Sequence, residues 1–366
     1  MPRVRPRRLI TVFAVLVCLL LVAGGAFYFS GGYESWRDER SLSAACNGLL
    51  SKEDARSVSG GSRVYAKQDH QFDFLLSEGS GGGRVTDCVL KDRDARSVVT
   101  VDVHWTSKSH TPVRTLPVQL QQNTRTGVVP IGADWPGSIA SDDGQLFGIV
   151  ELACRNKQEE SLLVATRALY PDADDENRAG LARLTTRTAK SAAAKFGCDA
   201  SVGKATSSVA PDPARNQVPL GKARGTCAPV VALADGVKQS GAVSAADAPS
   251  DPHTLTEGCY LTDARGYQLY RLTASYGTLA EIVRREAREF DATGDSGFDD
   301  KNHHGYGSAQ CADSTKRSLY TLKPVIRGAN MGLSVKNPDP QFERAALKAF
   351  AEQSAKTHGC RDLKLP

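Results

Sequence analysis

Beyond its first eight residues this chain has almost no net charge. Of its 46 Lys and Arg residues, four (Arg3, Arg5, Arg7 and Arg8) precede the first apolar run, and the 42 that remain stand against 41 Asp and Glu. A near-neutral body presents no electrostatic face to a polyanion, so nucleic acid is excluded as a partner at the level of net charge. A second long apolar run is missing too, which excludes a chain that crosses a membrane several times.

Catalytic and metal signatures are sparse. The stretch "GDSGF" at Gly294 to Phe298 evokes the nucleophile loop of trypsin-like proteases, but that chemistry needs a histidine base held by a carboxylate. The upstream candidates His70, His104, His110 and His253 lack the Ala-His-Cys-like setting of such a base. A secreted serine hydrolase using Ser296 therefore stands as the alternative reading, and a solvated loop as the preferred one. The surrounding "DATGDSGFDDKNHHGYG" holds Asp291, Asp295, Asp299, Asp300, His303 and His304, yet the closing bidentate Glu of an EF-hand is absent and adjacent histidines point apart. No cofactor and no metal are expected. Trp135, between turn residues, reads as a small-cluster core residue, and the acidic "PDADDE" at 171–176 as a complement to a helix dipole. The charges of "EIVRREAREF" read as intrahelical ion pairs on a solvated face.

What is present begins at the N-terminus. The run from Leu9 to Phe29 is uncharged over 21 residues, which at about 1.5 Å per residue matches the roughly 30 Å of a bilayer core. Arginines on one side and Tyr28, Tyr33 and Trp36 on the other give a positive-inside bias and an interfacial aromatic anchor. The expectation is a cytoplasmic basic segment (1–8), a transmembrane helix (9–29), a juxtamembrane linker (30–43) and an extracytoplasmic remainder. Cleavage by signal peptidase after "VAGGA" is the competing reading; the run exceeds the length of a signal core, which favours a retained anchor. Cys18 lies inside the run and reads as an apolar residue in lipid.

Eight further cysteines stand at 46, 88, 154, 198, 227, 259, 311 and 360, an even count in a chain that faces an oxidising space. They form two quartets separated by a Pro-, Ser- and Ala-rich stretch at 201–225 that reads as a linker. Contexts match across the quartets. "AACNGLL" answers to "GTCAPVV", a Cys-led strand and Asp/Arg turn recurs around Cys88 and Cys259, and a polar turn between strands follows Cys154 and Cys311. "KSAAAKFGC" and "EQSAKTHGC" close helices begun at Pro171-Asp172 and Pro338-Asp339. Gly197 and Gly359 can take the left-handed conformation that ends a helix, after which the cysteine ties the helix end to the body. These matches indicate a tandem duplication, with repeat domains at 44–200 and 226–366. The preferred pairing is sequential, Cys46 with Cys88, Cys154 with Cys198, Cys227 with Cys259 and Cys311 with Cys360; joining first to fourth and second to third is the main alternative.

Within each repeat, "SKEDARSV" starts a short helix with Ser51 as N-cap and Asp54 three residues on, and "SVVTVDVHW" places Val99, Val101, Val103 and Trp105 on one face of a strand. "LFGIVELAC" and "SLLVATRAL" read as a hairpin. The copies differ in the middle, where "TSKSHTPVRTLPVQLQQ" is answered by "TLAEIVRREAREF", with Leu279, Ile282, Val283 and Ala287 at helical spacing. Helix, antiparallel sheet and closing helix make an α+β fold. This order of elements resembles that of secreted or membrane-anchored actinobacterial domains of unknown function, and is similar to the extracellular sensor domains of actinobacterial serine/threonine kinases. The resemblance implies a non-catalytic domain that binds a ligand in a groove; no kinase motif is present. The function expected is therefore non-catalytic binding or interaction at the cell envelope, with an envelope protein or a wall-associated ligand as partner, and a purely structural spacer as a further alternative. The oligomeric state is left open.

Overall fold

The computed structural model describes residues 6–59, 64–67, 84–92, 98–106, 126–142, 144–157, 160–169, 174–286, 294–312, 314–327 and 332–366. The Pro171-Asp172 pair, Asp291, His70, His110, Ala287 and most of "TSKSHTPVRTLPVQLQQ" lie outside them.

The chain opens with helix α1 (Pro6–Phe29) and turns through Ser30 and Gly31 into α2 (Gly32–Ala44). No single helix among the described residues is long and apolar enough to cross a membrane; Phe13–Phe29 and Gly32–Ala44 pass that test together, bent by 67°. The segment expected as a linker before Cys46 is thus helical, and Leu42, 1% exposed, enters the first hydrophobic core. Leu42 and Asp38, four positions apart, face the body, while Arg37 and Arg40 stay in water. Helix α3 (Lys52–Ser59) starts where the capping pattern puts it: Ser51 Oγ accepts from the Asp54 amide at 3.0 Å and donates to Asp54 Oδ2 at 2.6 Å.

The first sheet has seven antiparallel strands: β1 (Val64–Lys67), β2 (Arg84–Asp92), β3 (Val98–Thr106), β4 (Thr126–Pro130), β5 (Gly137–Asp142), β6 (Gln145–Ala153) and β7 (Ser161–Leu169), in the order β1-β2-β3-β7-β6-β5-β4. Helix α4 (Asp175–Phe196) covers one face, with Leu146, Val150, Leu152, Leu162 and Val164 of the sheet against Leu181, Leu184 and Ala189 of the helix. Its N-cap is Asp174, which accepts from the Asn177 amide at 2.8 Å, so the helix starts at Asp175, just beyond the Pro-Asp signal.

In the second half, short helices α5 (Ala228–Val231) and α6 (Ala234–Gln239) lead into β8 to β17, with β8 (Val218–Pro219) placed just before them. Strands β9 (Ser244–Asp247), β10 (Thr256–Thr262), β11 (Gln268–Ser275), β12 (Gly297–Asp299), β13 (His304–Cys311) and β14 (Arg317–Pro324) build the second sheet in the order β12-β13-β14-β11-β10-β9-β8. Strands β15 (Ile326–Arg327) and β16 (Gly332–Leu333) form a separate hairpin, and β17 (Cys360–Lys364) pairs with β13. Helix α8 (Pro340–Thr357), N-capped by Asp339, packs Phe342, Leu347, Phe350 and Ala351 on this sheet. The "EIVRREAREF" region begins as α7 (Gly277–Glu286).

Four disulfides join Cys46 to Cys88, Cys154 to Cys198, Cys227 to Cys259 and Cys311 to Cys360, and Cys18 is a free, exposed cysteine. Gly197 at φ 65° and Gly359 at φ 62° both adopt the left-handed conformation next to the cysteine that staples each closing helix. With sequence separations of 44 and 49 between the partners of these two staples, each is worth about 4 kcal/mol in the chain-entropy account.

The stretch 201–225 is packed rather than loose. Trp135 Nε1 donates to the Lys204 carbonyl at 2.6 Å, Arg178 Nη2 to Ala210 at 2.8 Å and Ser141 Oγ to Asp212 Oδ2 at 2.5 Å. These bonds go to the strap's backbone and to one carboxylate, so they leave no apolar period in the sequence.

Candidate functional site

The two sheets meet across a seam that is filled. On the first sheet, the side chains that point away from α4 are Val128, Ala140, Phe147, Ile149, Leu163 and Ala165; Leu255 and, from α7, Leu279 and Ile282 pack on them. The other side of α7 turns Ala280 and Val283 to Leu319 of the second sheet. Helix α7 is therefore a wedge between two sheets, and the charges expected on a solvated face reach across instead. Glu281 pairs with Lys316 at 3.1 Å and Arg284 Nη2 donates to the Ser318 carbonyl at 2.8 Å.

Polar clamps flank the apolar patch. At one end Glu151 of β6, 8% exposed, accepts from the Thr278 amide at 2.9 Å and from Thr278 Oγ1 at 2.6 Å. A carboxylate of the first half thus satisfies an orphan donor in the first turn of a helix of the second, where the dipole favours negative charge. Lys316 Nζ donates to the same hydroxyl at 2.7 Å. Nearby, Ser138 and Thr254 share a hydroxyl bond at 2.8 Å, and Ser138 Oγ accepts from the Thr256 amide at 3.1 Å. At the other end Gln268 Nε2 donates to the Thr126 carbonyl at 2.7 Å while its Oε1 accepts from Arg271 Nε at 2.8 Å. Arg271, 3% exposed, has its pKa lowered by burial, with Tyr260 and Asp142 opposing. Burial pushes the Tyr260 phenol up to about 12.

Two buried carboxylates of the second half gather acid–base groups under α8. Glu343 accepts from Tyr270 OH at 2.7 Å and lies 2.9 Å from His303 Nδ1; burial raises its pKa, against the lowering effect of those two hydrogen bonds. Glu257 accepts from Ser250 Oγ at 2.9 Å and from Ser354 Oγ. His358 Nε2 stands 3.5 Å from Glu257 without making a hydrogen bond, and its ring stacks on Tyr276 with centroids 3.7 Å apart. Burial holds the Tyr276 phenol well above its ordinary range.

The residues singled out in the sequence are dispersed. Ser296 sits one position before β12, half-buried, and among the described residues no histidine is hydrogen-bonded to it. Its neighbour Asp295 pairs with Arg317 at 3.4 Å. Asp299 accepts from the Lys301 and Asn302 amides, Asp300 pairs with Arg344 at 3.1 Å, and His303 turns to Glu343. No three His, Cys, Asp or Glu side chains converge to hold a metal among the described residues. Trp135, 3% exposed, belongs to the first core. Asp175 pairs with the buried Arg178 at 3.1 Å.

Sequence reading missed Glu151, Glu257, Glu343 and His358. Glu343 stands in the first turn of a helix, where an acid needs no other partner, and Glu151 alternates correctly for an outward strand position. No protein-family model, no curated protein and no solved structure matches this chain.

Proposed function

We propose that this protein is a membrane-anchored, extracytoplasmic binding module of the cell envelope, built from two copies of one α+β domain. The observation that carries the anchor is α1, whose apolar side chains project outward on every side. Leu19, Leu20, Leu21 and Val22, successive positions that go right round a helix, are 63 to 70% exposed, and Phe29 is 89% exposed. Apolar surface of this extent is stable when hydrocarbon covers it. The arginines ahead of it favour a cytoplasmic N-terminus, and four disulfides suit a body on the oxidising side.

The register of the sheets supports duplication. Across five strands of the first sheet, Cys88, Val101, Thr166, Gly148 and Ile139 stand opposite one another in turn; across the second, Cys259, Leu272, Leu322, Gly305 and Phe298 do the same. Both ladders carry the N-terminal staple on one strand and a glycine on the fourth. Both glycines lie under the closing helix and beside a neighbouring strand: a Cβ on Gly148 would lie 2.4 Å from Thr185 of α4 and 2.6 Å from Thr166, and one on Gly305 2.9 Å from Leu347 of α8 and 2.7 Å from Phe298. Thr185 and Leu347 each stand 13 positions before the stapling cysteine.

Binding is favoured over catalysis by how the polar groups are used. The buried carboxylates are engaged in capping α7 and docking α8, which is the work of a scaffold that presents its outer surface to an envelope protein or wall-associated ligand. Fractionation of cells with an alkaline wash, combined with thiol labelling before and after reduction, tests this reading. The chain is expected to stay with the membrane, with its eight body cysteines labelled only after reduction. Release by the wash, or labelling of those cysteines without reductant, overturns it. A fluorophosphonate probe that labels the protein but not Ser296→Ala replaces binding with hydrolysis.

A further inference from the structure

The two faces of α2 are chemically distinct. Toward the body it turns Asp38, 5% exposed, and Leu42, 1% exposed, while Ser41 Oγ accepts from the Ala66 amide at 3.1 Å. Glu39 pairs with Lys52 at 3.3 Å and Arg56 at 3.1 Å of α3. These contacts fix the helix to the first half. Away from the body it turns Tyr33, Trp36, Arg37 and Arg40, all exposed, at the i, i+3, i+4, i+7 spacing that lines one stripe of a helix. Its acidic residues do not share that stripe.

The stripe continues an aromatic row from the last turn of α1. Tyr28 and Tyr33 have ring centroids 5.8 Å apart, Tyr33 and Trp36 6.1 Å apart, and the Arg40 guanidinium lies 5.4 Å from the Trp36 ring. Amphipathic rings with adjacent cations are suited to the level where acyl chains meet headgroups. The 67° bend between the two helices turns α2 closer to the membrane plane than to its normal when α1 spans the bilayer.

We infer that the Tyr33-Trp36-Arg37-Arg40 face of α2 lies on the outer surface of the bilayer, with its rings among the glycerol groups and Arg37 and Arg40 on the phosphates of anionic phospholipids. The body is thereby seated on the membrane at a fixed angle, since α2 is bonded to β1 and α3, instead of swinging on a tether. This inference rests on the reading of α1 as the anchor. Two observations select lipid over a protein partner: the stripe is continuous with the segment that enters the bilayer, and its charge is of one sign, complementary to anionic headgroups.

The test uses the full-length chain reconstituted in phosphatidylcholine vesicles with and without phosphatidylglycerol, their acyl chains brominated near the headgroup. Subtracting the emission of Trp36→Phe isolates Trp36, because Trp105 and Trp135 are held in the body. The Trp36 emission is expected to be quenched, more strongly with phosphatidylglycerol, and Arg37→Glu/Arg40→Glu, which alters exposed side chains only, is expected to lose most of that quenching. Vesicle-bound protein whose Trp36 is insensitive to brominated lipid overturns the inference while leaving the anchor standing. So does a photo-crosslinking residue in place of Trp36 that captures protein and not lipid in native membranes. Failure of the chain to associate with vesicles at all overturns the anchor and this inference together.

Discussion

Glu343 is fully buried, faced by the Tyr270 phenol, the His303 imidazole and, from the N-cap position, Asp339. Burial, the largest influence, raises its pKa above the ordinary carboxylate value. A folded-state pKa that is raised means the native state binds the proton more tightly than the unfolded chain does. The corresponding stability is complete below the unfolded value and is lost as pH rises through the folded one. Glu343→Gln keeps the volume and an acceptor for Tyr270 but removes the titration. The variant is expected to gain stability relative to the parent as pH rises above the ordinary carboxylate range, read as the difference in urea midpoints. A difference that stays constant over that rise in pH refutes the raised pKa. At this scale the sequence is legible where residues are rare and covalently committed: the cysteines and the Gly-Cys helix ends announce themselves. A buried glutamate does not, because the same letter on the first turn of a helix is ordinary in water, and its phenol and imidazole partners lie 73 and 40 positions away.

Among the elements, α7 shows how far periodicity reaches. Its apolar stripe predicts a helix, and Leu279, Ile282 and Val283 are all buried. The stripe does not reveal that it is divided between two sheets, with Leu279 and Ile282 on the first and Val283 on the second, where it is joined by Ala280, a residue small enough to be tolerated anywhere. Strand β3 repeats the lesson: Val99, Val101 and Val103 face the core as alternation predicts, yet Asp102 and His104 on the opposite face are buried as well, at 8% and 2% exposure. What tethers α7 is Glu151, contributed by a strand 126 residues earlier than the helix start, which no local pattern can show. Glu151→Ala leaves the Thr278 amide and hydroxyl without their carboxylate, and the cost expected from loss of an N-terminal cap is about 1 to 2 kcal/mol. Chemical denaturation of Glu151→Ala beside Thr278→Ala, with the double variant, gives the coupling energy. Strict additivity of the two would remove Glu151 from the role of cap.

For the whole molecule the question is whether the seam makes one cooperative unit of the two halves. Each half has its own core and its own two disulfides, so each has what an independent domain needs. Between them lie nine buried apolar residues and two polar clamps. Burying one large apolar side chain is worth about 1.5 to 3 kcal/mol, so the patch contributes more than the few kcal/mol by which two domains of ordinary stability differ. The intact protein is therefore expected to unfold in a single calorimetric transition. Ile282→Asp places a carboxylate in the apolar seam cluster, while changing no residue of either half's own core. Uncoupling follows: two transitions replace one, and the half with the weaker core melts first. A variant that still melts in one transition at a lower temperature shows that α7 is integral to the second core and not a joint between domains. The packed strap at 201–225 joins the same unit from the outside: its first part is bonded to Trp135, Arg178 and Ser141 of the first half, and its last part pairs as β8 with β9 and donates from the Arg224 and Gly225 amides to Asp247 of the second, so opening the seam also strains this connection.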